Sequence, residues 1–365
     1  MRTFLIAAGL LFVSLISSAA AQSPHLRLRT IAGNGESSRA RDMAPALEMS
    51  LSNPFGMQPA PDGSLVICSF DQHVLYRLDP SYNRLERICG TGTAGMSGTG
   101  GEHPTHVALN QPHEVQIDQQ GNIFVADTLN HRVGKIDSAT GRWSVVAGTG
   151  KAGFSGDRGR ATDAELDQAY SIAVDDQDLY VADLGNQRIR HVDLRSGTIR
   201  TICGSGKKAV PMDGQPAIEQ PLAGPRSLAV DTNFLWVVLR EGNSVWKIGR
   251  RDGIIYHVAG TGEKGFSGDD GDARLARLNG PKGITVQPAV AIYIADTENH
   301  AIRRVDLQSG RIVTWVGSPQ GDGGFNGDGD NLTQRLLKRP HGVCLLPSGG
   351  LVIGDSENHR LRLAE

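Results

Sequence analysis

The 365-residue chain has little of several features that mark common classes of protein. Aromatic residues make up 5% of it, and the formal net charge at pH 7 is only −2. A near-neutral chain has no broad basic field with which to hold nucleic acid or an anionic membrane surface. No apolar run reaches the length needed to span a bilayer. We therefore expect neither a nucleic-acid partner nor a transmembrane segment.

Cysteine is also scarce, with four copies at Cys68, Cys89, Cys203 and Cys344 and no C-x-x-C pair. This spacing fits neither a zinc motif nor a dithiol redox motif. Three of the four stand where other parts of the chain carry alanine or valine in an equivalent context. We predict that all four are small buried apolar side chains, and the spacing selects no disulfide pairing.

The N-terminus has the features of a secretory signal peptide. Arg2 precedes an apolar run at residues 4–16, and three alanines at 19–21 offer an A-x-A cleavage site after Ala21. The pattern predicts a signal peptide at 1–21 and an exported protein, periplasmic or extracellular, in which residues 22–365 form one domain. An uncleaved N-terminal anchor is the alternative.

Glycine is abundant, with 46 copies, and marks a repeat of about 56 to 59 residues. The clearest unit has four short apolar runs near Val115, Val125, Val133 and Val146, separated by turn residues. Runs this short and this rich in valine and isoleucine are typical of strands. The units begin at six positions: Pro54, Pro112, Ala169, Pro225, Pro281 and Pro340. Six four-stranded units predict an all-β, six-bladed β-propeller.

The two ends of the chain suggest how the ring closes. The last unit has only three strand patterns before Glu365, whereas residues 29–35 resemble the fourth-strand segments at 145–150 and 257–262. We therefore expect the N-terminal strand to complete the last blade and to remove an exposed sheet edge.

The unit running from Asp127 through Asn130, His131 and Arg132, with proline upstream and Ala-Gly-Thr-Gly downstream, resembles the NHL repeat. The resemblance covers essentially all of 22–365 and implies the propeller fold. It leaves function open, because NHL propellers include lyases, sensors, adhesion modules and RNA binders.

Three recurring motifs have a structural and a functional interpretation. The GxGxxG sequences, such as 148–153, lack the following helix of a dinucleotide site and are interpreted as turns. The aspartates at the ends of second strands are expected to hold backbone N–H groups, with ligand contacts as the alternative. The Gly- and Asp-rich loops at 153–159, 265–271 and 324–330 are expected to be connectors with phenylalanine packed between blades, with Ca²⁺ binding as the alternative.

The residue that follows each unit-opening position should lie where the innermost strand begins, beside the central channel. These residues are Phe55, His113, Tyr170, Arg226, Lys282 and His341. Polar groups that converge on a concavity are the default place for a ligand, and four of the six are cations or potential cations. We predict a ligand site at the channel mouth, suited to a small anionic ligand or a protein partner.

The favoured function is a monomeric, non-catalytic binding module, because no complete catalytic set is present. The alternative is a metal-assisted lyase or lactonase-like hydrolase. The resemblance to peptidyl-amidating lyases implies zinc held by histidines from alternate blades, which here would be His113 and His341. Blade four has Arg226 instead, with Tyr170 or Glu114 as a substitute ligand. We therefore predict no metal or cofactor, with zinc or calcium as the alternative.

In the enzyme alternative, the histidines would hold the metal, Arg226 would hold a substrate carboxylate, and Tyr170 would act in proton transfer.

Overall fold

The structure, a computed structural model, describes residues 26–365 and consists of six antiparallel sheets. Each sheet has four main strands, which follow the order of the chain except that the N-terminal strand is the outermost main strand of the sixth sheet. Three of the sheets carry a short fifth strand at the outer edge. The predicted six-bladed β-propeller is thereby confirmed. The predicted signal peptide at 1–21 lies outside the described residues. Within residues 26–365, no helix is long and apolar enough to cross a membrane.

The blades follow one another along the chain, and each begins with its innermost strand, apart from the short outer strands. Blade 1 contains β2 (Met43–Pro45), β3 (Pro54–Pro59), β4 (Leu65–Ser69), β5 (Val74–Leu78) and β6 (Arg84–Cys89). Blade 2 contains β7 (Pro112–Ile117), β8 (Ile123–Asp127), β9 (Arg132–Ile136) and β10 (Trp143–Ala147). Blade 3 contains β11 (Ala169–Asp175), β12 (Asp178–Asp183), β13 (Arg188–Asp193) and β14 (Thr198–Cys203).

The second half of the ring repeats this order. Blade 4 contains β15 (Gln215–Pro216), β16 (Pro225–Val230), β17 (Phe234–Leu239), β18 (Ser244–Gly249) and β19 (Ile254–Ala259). Blade 5 contains β20 (Gly283–Gln287), β21 (Ala291–Asp296), β22 (Ala301–Asp306) and β23 (Ile312–Val316). Blade 6 contains β1 (Arg27–Ala32), β24 (Gly329–Asp330), β25 (Val343–Leu345), β26 (Leu351–Asp355) and β27 (Arg360–Ala364).

The only helices in the described part of the chain are single 3₁₀ turns, which lie in the connections. They are η1 (Pro104–His106), η2 (Thr128–Asn130), η3 (Ala161–Asp163), η4 (Ala217–Glu219), η5 (Ala273–Leu275), η6 (Thr297–Asn299), η7 (Leu332–Gln334) and η8 (Ser356–Asn358).

The N-terminal strand closes the ring as predicted. β1 pairs antiparallel with β27, with Leu28 opposite Ala364 and Thr30 opposite Arg362. The two terminal segments of the described chain therefore complete one sheet, and blade 6 needs both of them. This arrangement leaves the inner strand of blade 6 free to face the channel like those of the other blades.

The hydrophobic core lies between neighbouring blades rather than inside any one of them. Trp236 and Val238 of blade 4 pack in one cluster with Ile292 and Ile294 of blade 5, all nearly inaccessible. Because each middle strand is covered on both faces, it has no polar face, and this explains the continuous apolar runs in the sequence. The four cysteines lie in these layers, buried and free, as predicted.

The recurring aspartates are structural, as expected. In blade 5, Asp296 accepts the backbone N–H of Asn279 and an N–H of the Asn299 side chain, both at 2.8 Å. The same amide also donates to the carbonyl of Gly265 in the long loop, at 2.7 Å. Asp127, Asp183 and Asp355 make the equivalent bonds. Burial raises the pKa of Asp296 to about 6 despite these donors.

The long loops are fastened to the blades by buried arginines. Arg303 is fully buried and pairs with Asp296 at 3.4 Å and with Asp269 of the loop at 2.7 Å. Arg190 and Arg362 do the same for the loops at 153–159 and 324–330. The loop carboxylates therefore act as partners of arginine and tie the connector to the blade.

The expected packing of the loop phenylalanines between blades is wrong. Phe154 and Phe325 are 43% and 42% exposed. The Arg188 guanidinium lies 3.9 Å from the Phe154 ring centroid, and Arg360 lies 4.1 Å from that of Phe325. The buried arginines occupy the interior space, so each ring covers guanidinium groups from outside by a cation–π contact.

One further position links each blade to the next. The residue that ends each second-to-third strand turn has a positive φ, and its side chain accepts the backbone N–H of the residue before the next unit-opening position. These six staple residues are His73, His131, Gln187, Asn243, His300 and His359. In the histidines the acceptor is Nδ1, and in Gln187 and Asn243 it is the amide oxygen. Because His359 reaches Asn53, the staples run around the whole ring.

Candidate functional site

The six predicted site residues all lie at the same end of the central channel, where the innermost strands begin. In blade 2 the register between β7 and β8 shifts between Pro112 and Glu114, so His113 has no direct partner across the ladder. The same shift occurs between Ala169 and Ser171 in blade 3. An irregularity of this kind turns the extra residue out of the sheet. The irregularity therefore turns His113 and Tyr170 out of their sheets and toward the axis.

These six side chains are called here the hub ring, and five of them, all but Lys282, form a run of ring and cation–π contacts. The Phe55 and His341 rings stack with centroids 3.9 Å apart, and His113 lies 3.7 Å from Tyr170. The Arg226 guanidinium lies 3.6 Å from the centroid of Tyr170. Five members are between 3% and 7% exposed, while Arg226 is partly exposed. The hub ring closes this end of the channel, and its role in ligand binding remains a prediction.

Below the hub ring, the channel contains a cavity of about 370 Å³. Four members of the ring line it, Phe55, His113, Lys282 and His341, whereas Tyr170 and Arg226 are not among the lining residues. Further along the channel, the residues that line it are more accessible. Gln58, Gln116 and Val230 are half-buried, and Pro347 is exposed. The cavity is therefore closed by the hub ring and reaches solvent where the innermost strands end.

The two histidines face this cavity as neutral imidazoles. Burial, followed by the nearby Arg226 and Lys282, lowers the pKa of His113 well below its usual value. Burial, followed by Lys282 and His113, does the same for the pKa of His341. Nδ1 of His341 lies 3.2 Å from the Arg339 carbonyl, which can only accept, so Nδ1 carries the proton and Nε2 is an acceptor.

His113 differs from His341 because its hydrogen-bonding capacity is unused. Neither of its ring nitrogens has a hydrogen-bond partner among the residues that the structure describes, although the residue is only 3% exposed. A neutral imidazole has one donor and one acceptor. Both groups of His113 are therefore unpaired in the described part of the chain.

Glu114 is the group that sequence reasoning valued least, as a substitute metal ligand only. Its side chain lines the cavity, with Oε2 3.4 Å from the Ser171 hydroxyl and Oε1 3.3 Å from the Val115 N–H. Burial raises its pKa to about 8, although the hydrogen bonds from Val115 and Ser171 oppose the shift. Space for the carboxyl comes from Gly56, where an added Cβ would lie 2.3 Å from Oε1.

The repeat itself contained a signal for this residue. The position that follows the hub ring is occupied in the other blades by Gly56, Ser171, Ser227, Gly283 and Gly342. Only blade 2 has a carboxyl at this position, and the other blades have glycine or serine. The blade fold therefore does not require the carboxyl. The irregularity in Glu114 could therefore have been recognised from the sequence.

Lys282 is the cation of the cavity lining. Its Nζ is 3.0 Å from Glu298, which also receives the guanidinium of Arg339 at 2.7 Å. Burial lowers the pKa of Lys282 to about 8, although Glu298 opposes the shift. The ammonium is therefore held by the Glu298 carboxylate, which does not itself line the cavity.

The residues present do not form a zinc site of the alternate-blade kind. The ring centroids of His113 and His341 are 6.3 Å apart, and blade 4 provides Arg226 rather than a third histidine. Across residues 26–365, no group of three or more His, Cys, Asp or Glu side chains is arranged to hold a metal ion. The hub offers two imidazoles, one fewer than the usual set of protein ligands for catalytic zinc.

The fold and the hub place the chain in the class of six-bladed propellers with a central cavity. Sequence comparison shows which proteins it resembles. The teneurin NHL domain model matches residues 86–193, and the NHL repeat model matches residues 337–362. NHL repeat-containing protein 2 of Gallus gallus is 28% identical over 293 residues, which is 72% of this chain and 40% of that protein. The chain is therefore similar to NHL-repeat proteins over most of its length.

Other relatives are longer proteins as well. NHL repeat-containing protein 2 of Bos taurus is 27% identical over 80% of this chain and 45% of that protein. Teneurin-1 of Mus musculus is 26% identical over 92% of this chain and 13% of that protein. The chain thus spans less than half the length of these relatives.

Among solved structures, a Bacteroides thetaiotaomicron protein of unknown function has a TM-score of 0.68 at 18% identity, covering 93% of this chain and 75% of that one. An auxiliary nutrient binding protein of Bacteroides ovatus has a TM-score of 0.67 at 16% identity, covering 93% and 76%. A streptogramin B lyase has a TM-score of 0.51 at 16% identity, covering 90% and 99%. At such identities the likeness concerns the fold alone.

Proposed function

We propose that this protein is an exported binding module whose hub cavity takes a small polar ligand with an acidic group. The observation that carries the proposal is His113, a buried side chain that lines the cavity with both ring nitrogens unpartnered. Leaving a buried polar group unsatisfied costs about 1–3 kcal/mol. A ligand that hydrogen-bonds to this imidazole would recover that free energy.

The volume of the cavity limits the ligand to a small molecule. At about 30 Å³ of liquid volume per water molecule, a cavity of 370 Å³ has room for about a dozen waters. This volume lies at the lower end of the usual range for ligand pockets. It fits a ligand with a similar number of non-hydrogen atoms. A folded protein partner would have to bind elsewhere.

The acidic group of the ligand is argued from the charges that face the cavity. Lys282 provides an ammonium, and the neutral imidazoles of His113 and His341 add hydrogen-bonding nitrogens. A carboxylate placed here would gain charge-assisted hydrogen bonds in a site largely shielded from water.

The test is a thermal-shift screen with small carboxylic acids, sugar acids and amino acids, followed by titration calorimetry. His113→Phe removes the two nitrogens and keeps an aromatic ring, as at Phe55 of blade 1. His106→Ala, at an exposed histidine far from the channel, is the matched control. We expect at least one compound to stabilise the wild type and the control but not the His113 variant. Failure of every compound, or binding that survives His113→Phe, would contradict the proposal.

A second candidate, a lyase or lactonase-like hydrolase, is favoured by one observation. The raised pKa of Glu114, about 8, is in the range that suits a general acid or base near neutral pH. Two structural neighbours have enzyme names, the streptogramin B lyase and a gluconolactonase of Xanthomonas campestris. Recovery of bound compounds after overnight incubation separates the two candidates, because a binding module returns them unchanged. Conversion that Glu114→Gln abolishes would favour the enzyme.

A further inference from the structure

The hub cavity is lined by two residues of opposite charge type, Glu114 and Lys282, from different blades. Glu114 is in blade 2 and Lys282 is in blade 5, three blades apart in a ring of six, so they approach the axis from opposite sides. Both line the same cavity, yet no ion pair joins them in residues 26–365. The cavity lining therefore includes an acidic residue on one side and a lysine on the opposite side.

Each of these two groups has binding capacity left over. An ammonium has three N–H donors, and Glu298 uses one of those of Lys282. A carboxylate accepts several hydrogen bonds, whereas Glu114 has only the two long contacts from Val115 and Ser171. Lys282 has its counter-charge, but Glu114 has none. A cationic group in the cavity would provide what Glu114 lacks.

Building on the proposed function, we propose that the hub cavity binds a zwitterion of the amino-acid class, with its ammonium at Glu114 and its carboxylate at Lys282. A simple carboxylic acid would meet Lys282 but would leave Glu114 protonated and without a charged partner. A simple amine would do the reverse. His341, with a free acceptor at Nε2, and His113, with both nitrogens free, remain for the polar atoms of the amino-acid side chain.

The small residues around Glu114 fit this assignment. Gly56 leaves the carboxyl room, since a Cβ at this position would overlap Oε1 and come within 2.7 Å of the Glu114 Cα. Ser171 supports the other carboxyl oxygen, and its own hydroxyl accepts the backbone N–H of Leu228 at 3.0 Å. The neighbouring blades on both sides thus hold Glu114 where a ligand can reach it.

The experiment uses the whole protein and titration calorimetry at pH 7.5. The proteinogenic amino acids are screened first, and the tightest binder is compared with two analogues, one lacking the amino group and one lacking the carboxylate. We expect each analogue to bind at least about tenfold more weakly, which corresponds to about 1.4 kcal/mol. Thermal unfolding of each variant verifies that it is folded before titration.

Two variants assign the two ends of the ligand. Glu114→Gln should weaken the amino acid about tenfold or more while leaving the affinity of the deamino analogue unchanged. Lys282→Arg retains the cation, as at Arg226 in blade 4, and should retain preference for the carboxylate. Glu114→Gln that left amino-acid binding intact would overturn the inference.

The outcomes also separate this inference from the proposed function. If the deamino analogue binds as tightly as the amino acid and His113→Phe abolishes both, the cavity is a ligand site but not one for zwitterions. If no amino acid binds while another small acid does, the inference fails and the proposed function stands. If no compound of any class binds, both are wrong.

Discussion

Replacing the staple residue His73 by glutamine or by alanine tests how neighbouring blades are held together. Nδ1 of His73 accepts the backbone N–H of Gln111 at 3.1 Å, and Gln187 makes the same bond with its amide oxygen at 2.8 Å. The two residues share a left-handed backbone, with φ of 56° and 53°. Glutamine is therefore the matched replacement at this position.

The expected magnitude follows from this one bond. His73→Ala removes the acceptor and leaves the N–H of Gln111 unsatisfied in a partly buried position, which should cost about 1–3 kcal/mol in the free energy of unfolding. His73→Gln keeps an acceptor and should stay within about 0.5 kcal/mol of the wild type at pH 8. Urea unfolding followed by tryptophan fluorescence measures both.

The pH dependence separates the two acceptors. Burial lowers the pKa of His73 in the folded protein, against the opposing effect of Asp71, because the ring must stay neutral to accept the N–H. The unfolded chain, with a histidine pKa near 6.5, then takes up the proton first. This contribution to stability is fully present above pH 6.5 and is lost as the pH falls through the folded pKa.

An amide does not titrate, so His73→Gln should lose less stability than the wild type between pH 8 and pH 5. The other titrating groups are common to both proteins and cancel in the comparison. Equal losses in the two proteins, or a glutamine variant as unstable as the alanine variant at pH 8, would refute the reasoning.

Two further predictions concern single side chains. Arg303→Ala should destabilise the protein by about 3–5 kcal/mol, since it leaves the Asp296 carboxylate buried without its ion-pair partner; a loss below 1 kcal/mol in urea unfolding would contradict this role. Gly56→Ala places a Cβ 2.3 Å from Oε1 of Glu114. We expect it to lower stability by about 1–3 kcal/mol as an overpacking change and to abolish ligand binding. Gly63→Ala, in the turn between β3 and β4, adds strain at a positive φ but would contact only Pro80, so it should leave binding intact.

The sequence predicted the architecture well because the same physical problem is solved six times. Each blade must bury both faces of its middle strands, so apolar runs of equal length recur at a constant spacing. The partnership of residues 29–35 with the last unit followed from the same comparison of repeats. The structural role of Asp296 and its equivalents was also predictable, since a group present in most blades serves the blade.

The features that the sequence did not decide depend on neighbours in other blades. Period-two alternation does not predict that Glu114 lines the cavity, because the register shift at His113 breaks the alternation. Similarly, Phe154 was expected in the interior, but the long, fully buried Arg190 takes that space and leaves the ring outside. Which of two side chains is buried depends on packing that no single repeat contains.

The sequence by itself determined the number of blades, the closing strand and the identity of the residues that converge on the axis, because these follow from position within a repeat. Only the tertiary structure decided that most of these residues pack against one another, that the ring nitrogens of His113 are left unpaired, and that Glu114 and Lys282 line one cavity from opposite sides. Those properties arise between blades, where the distance from one side chain to the next depends on the closure of the whole ring.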